Sequence, residues 1–136
     1  MNRTKLKFKT ADEVEGVFYE AFMRCDPEVI AALWADEGVV CVHPGSGAIV
    51  EYQAIIRSWK HILGNARQVE MRFTVINRVL ATDLAVHMVA EEMLTANRVS
   101  AVVLATNVYR KYQQSWLMVG HHASLVQASS AGQTLQ

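Results

Sequence analysis

The chain has only two cysteines and two prolines in 136 residues, and its 13 basic and 13 acidic residues cancel to a formal net charge of zero. Each scarcity excludes something. Two thiols, Cys25 and Cys41, are too few for a disulfide-built scaffold, and with no export signal read ahead of them they are expected to stay reduced in a cytoplasmic setting. A balanced charge supplies no field for nucleic acid or an anionic membrane, so neither is an expected partner. No apolar run, Ala101–Ala105 included, comes near the ~20 residues that cross a bilayer as a helix. The H-E-x-x-H, C-x-x-C and G-x-S-x-G patterns and the phosphate-binding glycine loop are all missing. Gly45-Ser46-Gly47 follows an apolar run without the elbow spacing, so Ser46 is not read as a nucleophile. No metal, no cofactor and no covalent hydrolysis are expected.

What is present is ordinary globular composition, 51% hydrophobic and 19% charged. Arg3, Lys5, Lys7 and Lys9, interleaved with Leu6 and Phe8, read as a solvated arm or an edge strand. Thr10 and Glu13 have the spacing of a capping box, and Val14, Val17, Phe18, Ala21 and Phe22 then mark one buried helical face. Asp26-Pro27 starts a second helix with Ile30, Leu33 and Trp34 inward and Gly38 as its stop. Val39–Val42 reads as a short buried strand, His43-Pro44-Gly45-Ser46-Gly47 as a turn and Ala48–Val50 as a return strand. Ile55, Ile56, Trp59, Ile62 and Leu63 write a third helix ending at Gly64.

The second half reads as four strands, Glu70–Leu80, Ala85–Leu94, Val99–Tyr112 and Trp116–Val126, separated by short turns. Short connections imply antiparallel neighbours. The expected fold is α+β: three N-terminal helices packed in the concavity of a strongly curved, mostly antiparallel sheet, a cone with an internal pocket. Residues 1–9 form an arm, 10–126 the single domain and 127–136 a flexible tail. Apolar residues on both faces of the strands predict a twofold partner on the outer face, a homodimer.

Leu33-Trp34-Ala35-Asp36, Val40-Cys41-Val42-His43-Pro44-Gly45, Ala54-Ile55 and Trp59, followed by Ala105-Thr106-Asn107-Val108-Tyr109, Trp116 and His121-His122-Ala123-Ser124, resemble the SnoaL-like branch of the nuclear transport factor 2 superfamily. The Trp116, His122 and Ser124 spacing is also similar to the association domain of calcium/calmodulin-dependent protein kinase II. The resemblance covers residues 10–126 and implies the conical fold, dimeric through the outside of the sheet. It implies no single chemistry, because the fold hosts isomerases, dehydratases, cyclases and binding modules. The chain departs from the family pattern at Glu51-Tyr52, where glycine usually precedes the third helix, and at Gln113-Gln114, where the last hairpin usually turns on Asp-Gly.

Candidate site residues follow from strand alternation and this resemblance together. A two-residue Gln113-Gln114 turn pairs Tyr112 with Ser115 and sets Asn107, Tyr109, Trp116 and His122 on one face. A loop one residue longer would exchange His122 for His121. Glu91 occupies a place where the family commonly carries an acid, and as a buried carboxylate it requires a partner, with Arg98, His87 and His122 as candidates. Glu91 and His122 are therefore the candidate acid–base pair for cofactor-free proton transfer. The competing reading is a structural salt bridge at Glu91. Asn107, Tyr109, Tyr19, Trp34, His43 and Trp59 are the candidate contacts for a small organic ligand. For Trp34 and Trp59 the alternative is core filling, and for His43 a turn-organising hydrogen bond. The functional expectation is a small-molecule pocket protein acting as isomerase, dehydratase or cyclase, against a non-catalytic ligand-binding or oligomerising module.

Overall fold

Thr10 caps the first helix as its spacing predicts. Its Oγ1 accepts from the Glu13 N–H at 3.1 Å, and Glu13 Oε2 reaches back to the Lys9 N–H at 3.2 Å, one residue before the cap. Helix α1 (Ala11–Met23) ends on Cys25, which adopts a left-handed φ of 56°. Cys25 N–H donates to Phe22 O at 3.1 Å and Asp26 N–H to Ala21 O at 2.9 Å, a helix-terminating pair of bonds that more often involves glycine. Asp26 then caps α2 (Pro27–Leu33). This helix stops well before Gly38, contrary to expectation. Trp34 is extended and bridges Met118, and Ala35 N–H donates to Met118 O at 2.9 Å, so pairing with the sheet takes over from the helix. Helix α3 (Tyr52–Leu63) starts on Glu51, whose carboxylate accepts from the N–H groups of Gln53 and Ala54.

The computed structural model describes residues 6–64 and 68–127. Arg3 and Lys5 of the basic arm and residues 128–136 of the tail lie outside the described residues. The described part of the arm is not simply solvated: Phe8 is buried, and its N–H donates to Ser115 Oγ at 2.7 Å.

Strands β1 (Val40–Val42), β2 (Ala48–Ile49), β3 (Met71–Leu80), β4 (Leu84–Thr95), β5 (Arg98–Lys111) and β6 (Trp116–Leu125) form one sheet in the order β2-β1-β6-β5-β4-β3. The β1–β6 pair is parallel and the other pairs are antiparallel, so the sheet is mixed. The chain is thus an α+β fold of three helices and a six-stranded sheet, consistent with the conical arrangement. Among the described residues, no helix is long and apolar enough to cross a membrane.

Two hairpins show how local chemistry sets register. Ala96 and Asn97 both have positive φ, 51° and 64°, between the paired Thr95 and Arg98. That is the turn geometry whose twist matches the strands on either side. At the β5–β6 hairpin Tyr112 N–H donates to Ser115 O at 2.8 Å, so the two-residue Gln113-Gln114 turn forms. The pairing then runs Lys111 to Trp116 and Tyr109 to Met118. Val119 is left over as a β-bulge, and Val108 pairs with Gly120. Asn107 therefore lies opposite His121, not Gly120. Gly120 suits the crowding here, since a Cβ at that position would sit 3.2 Å from Val108 Cβ.

Apolar residues of the helices and the sheet meet in one core. Val14, Phe18, Ile30, Leu33, Ile55 and Leu63 share one core with Val89 and Met118. Cys25 and Cys41 are free thiols.

Candidate functional site

A cavity of about 260 Å³ opens between α3, the β1–β2 turn and strands β4, β5 and β6, with Glu91, His43, Trp59, His121, Phe22 and Met93 in its wall. Period-two alternation brings Glu91 on β4, Asn107 on β5 and His121 on β6 to the same face of the sheet, and α1 lays Tyr19 over them. Tyr19 O–H donates to Glu91 Oε2 at 2.6 Å, and Asn107 Nδ2–H donates to the Tyr19 oxygen at 2.8 Å. With its amide nitrogen engaged, Asn107 offers Oδ1 to His121, whose Nδ1 lies 2.6 Å away. The four side chains form one buried chain from carboxyl to imidazole.

That chain fixes protonation states. His121 donates from Nδ1, so its Nε2 carries the lone pair. Burial, reinforced by the nearby His43 and His122, lowers its pKa to about 3, so the ring is neutral at ordinary pH. Glu91 is 2% exposed, and its one hydrogen-bond donor among the described residues is a phenol rather than a cation. Burial pushes its carboxyl up to about 7, partly opposed by the Tyr19 hydrogen bond. Burial and the adjacent Glu91 drive the Tyr19 phenol far above its usual value, so it remains a donor.

At the rim, Ser58 O–H donates to Ile55 O at 2.6 Å, which leaves its oxygen to accept from His43 Nε2 at 2.8 Å. The His43 ring meets Trp59 edge-on, 4.8 Å between centroids. Burial lowers the His43 pKa, favouring the neutral form. Cys41 Sγ lies 3.6 Å from His43 Nε2, but burial pushes the thiol up to about 12, so the pair is no activated nucleophile. The indole N–H of Trp59 is buried without a hydrogen-bond partner among the described residues.

The sequence-predicted residues separate into five groups. Glu91, His43 and Trp59 line the cavity, and Tyr19 and Asn107 stand behind it in the hydrogen-bonded chain. Trp34 is buried in the core, away from the cavity wall. Tyr109 turns instead to Glu15, donating its O–H to Oε2 at 2.6 Å. His122 is corrected: it is exposed on the opposite face, because the Val119 bulge shifts the register by one and brings His121 inward. The partner of Glu91 is likewise Tyr19, not Arg98, His87 or His122.

A second buried cluster escaped the sequence reading. Glu15, 2% exposed, accepts from Tyr109 and lies 2.9 Å from His87 Nδ1. Its signal was legible: Glu15 is the one acid within the apolar face marked by Ala11, Val14, Phe18 and Tyr19.

The SnoaL-like domain family matches residues 13–128. A candidate calcium/calmodulin-dependent protein kinase type II association domain from Thiobacillus denitrificans is 29% identical, with 90% of this chain and 100% of that chain covered at a TM-score of 0.84. A candidate dehydratase of the nuclear transport factor 2-like family from Streptomyces avermitilis is 32% identical, covering 86% of this chain and 94% of that chain, with a TM-score of 0.76. A ketosteroid isomerase-like protein from Erwinia carotovora atroseptica shares the fold at 21% identity and a TM-score of 0.67, with 86% of this chain and 94% of that chain covered. No curated protein gives a match. Matched by its family over most of its length, the chain belongs to the SnoaL-like domain family.

Proposed function

We propose that the chain is a small-molecule pocket protein in which Glu91 transfers a proton to or from a carbon beside a carbonyl, in a cofactor-free isomerisation, dehydration or cyclisation. The observation that carries this reading is the state of Glu91. A carboxyl buried in a cavity wall, hydrogen-bonded by a phenol and raised to about 7, is poised to gain and lose a proton near neutrality. Tyr19 holds the carboxyl in place, and Asn107 holds both Tyr19 and His121. His121, in the role first assigned to His122, offers Nε2 as an acceptor, while the unpartnered Trp59 N–H is a donor for a ligand oxygen. His43 closes the rim.

In this reading the helices cover the concave side of a curved sheet as a cone. A second copy covers the outer face, where Met88 is exposed and Val86, Leu104 and Val108 are half-buried. The free thiols suit a reducing cytoplasm.

The second reading, a ligand-binding or oligomerising module without catalysis, is favoured by the Thiobacillus relative, which is named for an association domain. One experiment separates the two. The protein is incubated in D2O with a panel of cyclic and unsaturated ketones, and exchange of the protons beside the carbonyl is followed by NMR. Proton transfer by Glu91 predicts exchange that falls by about 100-fold or more in Glu91→Gln. Undiminished exchange in that variant removes Glu91 from the chemistry. Ketone binding without exchange selects the non-catalytic module.

A further inference from the structure

The Glu91 pocket leaves the Glu15 cluster unused, and that cluster has its own opening. A separate cavity of about 310 Å³ lies at the start of α1, walled by Ala11, Leu80 and Trp116, with His87, Asp12 and Arg78 as its main polar groups. It shares no lining residue with the cavity at Glu91. We propose that this is a second binding site, in which His87, oriented by Glu15, accepts a hydrogen bond from the hydroxyl of a neutral ligand with an apolar body.

The argument starts inside the core. Glu15 Oε2 accepts the Tyr109 O–H at 2.6 Å and lies 2.9 Å from His87 Nδ1. Tyr109 is anchored on β5 and His87 on the neighbouring β4, so the oxygen is held between two strands. In its neutral form, an imidazole that donates from Nδ1 presents its lone pair at Nε2. His87 is 3% exposed, and its Nε2 has no hydrogen-bond partner among the described residues; its nearest charged neighbour, Asp12 Oδ1, is 3.9 Å away. Backing an imidazole with a carboxylate is how proteins fix which ring nitrogen faces a ligand.

Charge and shape select the ligand. Asp12 is already paired with Arg78, Oδ1 to Nε at 3.0 Å, leaving the exposed Lys9 at the edge. Both signs are therefore present around the mouth, and a full charge on the ligand meets a like charge whichever its sign. The walls are apolar and the volume lies at the low end of the range for small-molecule sites, about 300 to 1,000 Å³. A phenol or a compact alcohol fits these demands.

A metal ion fits less well, although Asp12, Glu15 and His87 bring one ligand atom each within 4.8 Å of one another. Glu15 lies nearest Nδ1, at 2.9 Å, and Asp12 nearest Nε2, at 3.9 Å, a poor placement for one ion shared by all three. Asp12 also carries the Arg78 guanidinium.

The test is long-range proton–nitrogen NMR of the histidine rings, with the His87 signals assigned by their loss in His87→Gln. The proposal expects His87 to carry its proton on Nδ1, and p-cresol to shift its Nε2 resonance saturably. The methyl ether of p-cresol, which has no hydroxyl donor, should not do so. Leu80→Trp fills the mouth at an exposed position and should abolish the p-cresol response, while the His87 tautomer is kept. A proton on Nε2, equal responses to the phenol and its ether, no response at millimolar p-cresol, or a response that survives Leu80→Trp each overturns the proposal.

Discussion

Glu15 and Glu91 are both 2% exposed, and each accepts a tyrosine hydroxyl at 2.6 Å, yet their surroundings ask different things of them. Glu15 takes two partners from two strands, and its helix reaches it from the third side. Glu91 has Tyr19 alone among the described residues, and its other side meets a cavity. A buried acid gripped from two strands fastens elements together, whereas Glu91, held by one phenol at a cavity wall, has its carboxyl raised to about 7 by burial. The difference lies in the neighbours, since residue type, burial and phenol distance are the same.

That contrast is broken or sharpened by substitution. Glu15→Ala leaves the Tyr109 O–H and the His87 Nδ1–H without a partner, and should cost about 3 kcal/mol in urea unfolding. A cost below about 1 kcal/mol would mean that Glu15 fastens nothing.

Glu91 should instead reveal itself through pH. Its carboxyl stands at about 7 in the fold against an ordinary 4.5, so between those values the folded state binds more protons and stability falls as pH rises. The fall is on the order of 3 kcal/mol. His121 acts with the opposite sign: at about 3 against an ordinary 6.5, its contribution is lost as pH drops below 6.5. Wild-type stability should therefore be nearly level from about pH 5 to about pH 6.5, where the two slopes oppose. In Glu91→Gln only the His121 slope remains, so stability rises across that interval. A level profile in the variant contradicts the assignment.

The tyrosines give a smaller separation. Tyr109→Phe should cost about 1 to 2 kcal/mol, because Glu15 keeps His87. Tyr19→Phe removes the one hydrogen bond that lowers the Glu91 pKa, so the carboxyl midpoint, followed by carbon NMR, should move upward. Smallest of all is His122→Ala, expected within ~0.5 kcal/mol of wild type because the side chain is exposed. A cost near that of a buried substitution would put the β6 register in error, and with it the place of His121 beside Asn107.

Much of the fold could be read from local chemistry. The Thr10–Glu13 spacing, the Asp26-Pro27 restart, Gly64 and the Ala96-Asn97 turn all act within a few residues, and the four long strands end within two residues of expectation. The second helix was read too long because what ends it, the bond from Ala35 to Met118, is remote in sequence. The site was legible in part: strand alternation and family resemblance reached Glu91 and Asn107. Neither predicted that the partner of Glu91 would come from α1, since helix and strand meet only in three dimensions. His121 was missed for a subtler reason. The turn formed with the counted residues, and the error entered farther along, at a bulge with no glycine or proline at the unpaired position itself to announce it.

The Val119 bulge makes the sidedness of the last strand a matter of pairing rather than of composition. Were the strand to pair regularly at unchanged length, with Val119 opposite Val108, its two sides would exchange from Gly120 onward. His122 and Ser124 would enter the interior and His121 and Ala123 would leave it, with every side chain unchanged in kind. Deleting Val119 would instead leave His121 opposite Asn107, because the remaining residues already hold those pairs. Two chains of this architecture with the same His-His pair can therefore present different histidines to their ligands, and counting residues from the hairpin turn, bulge included, tells which.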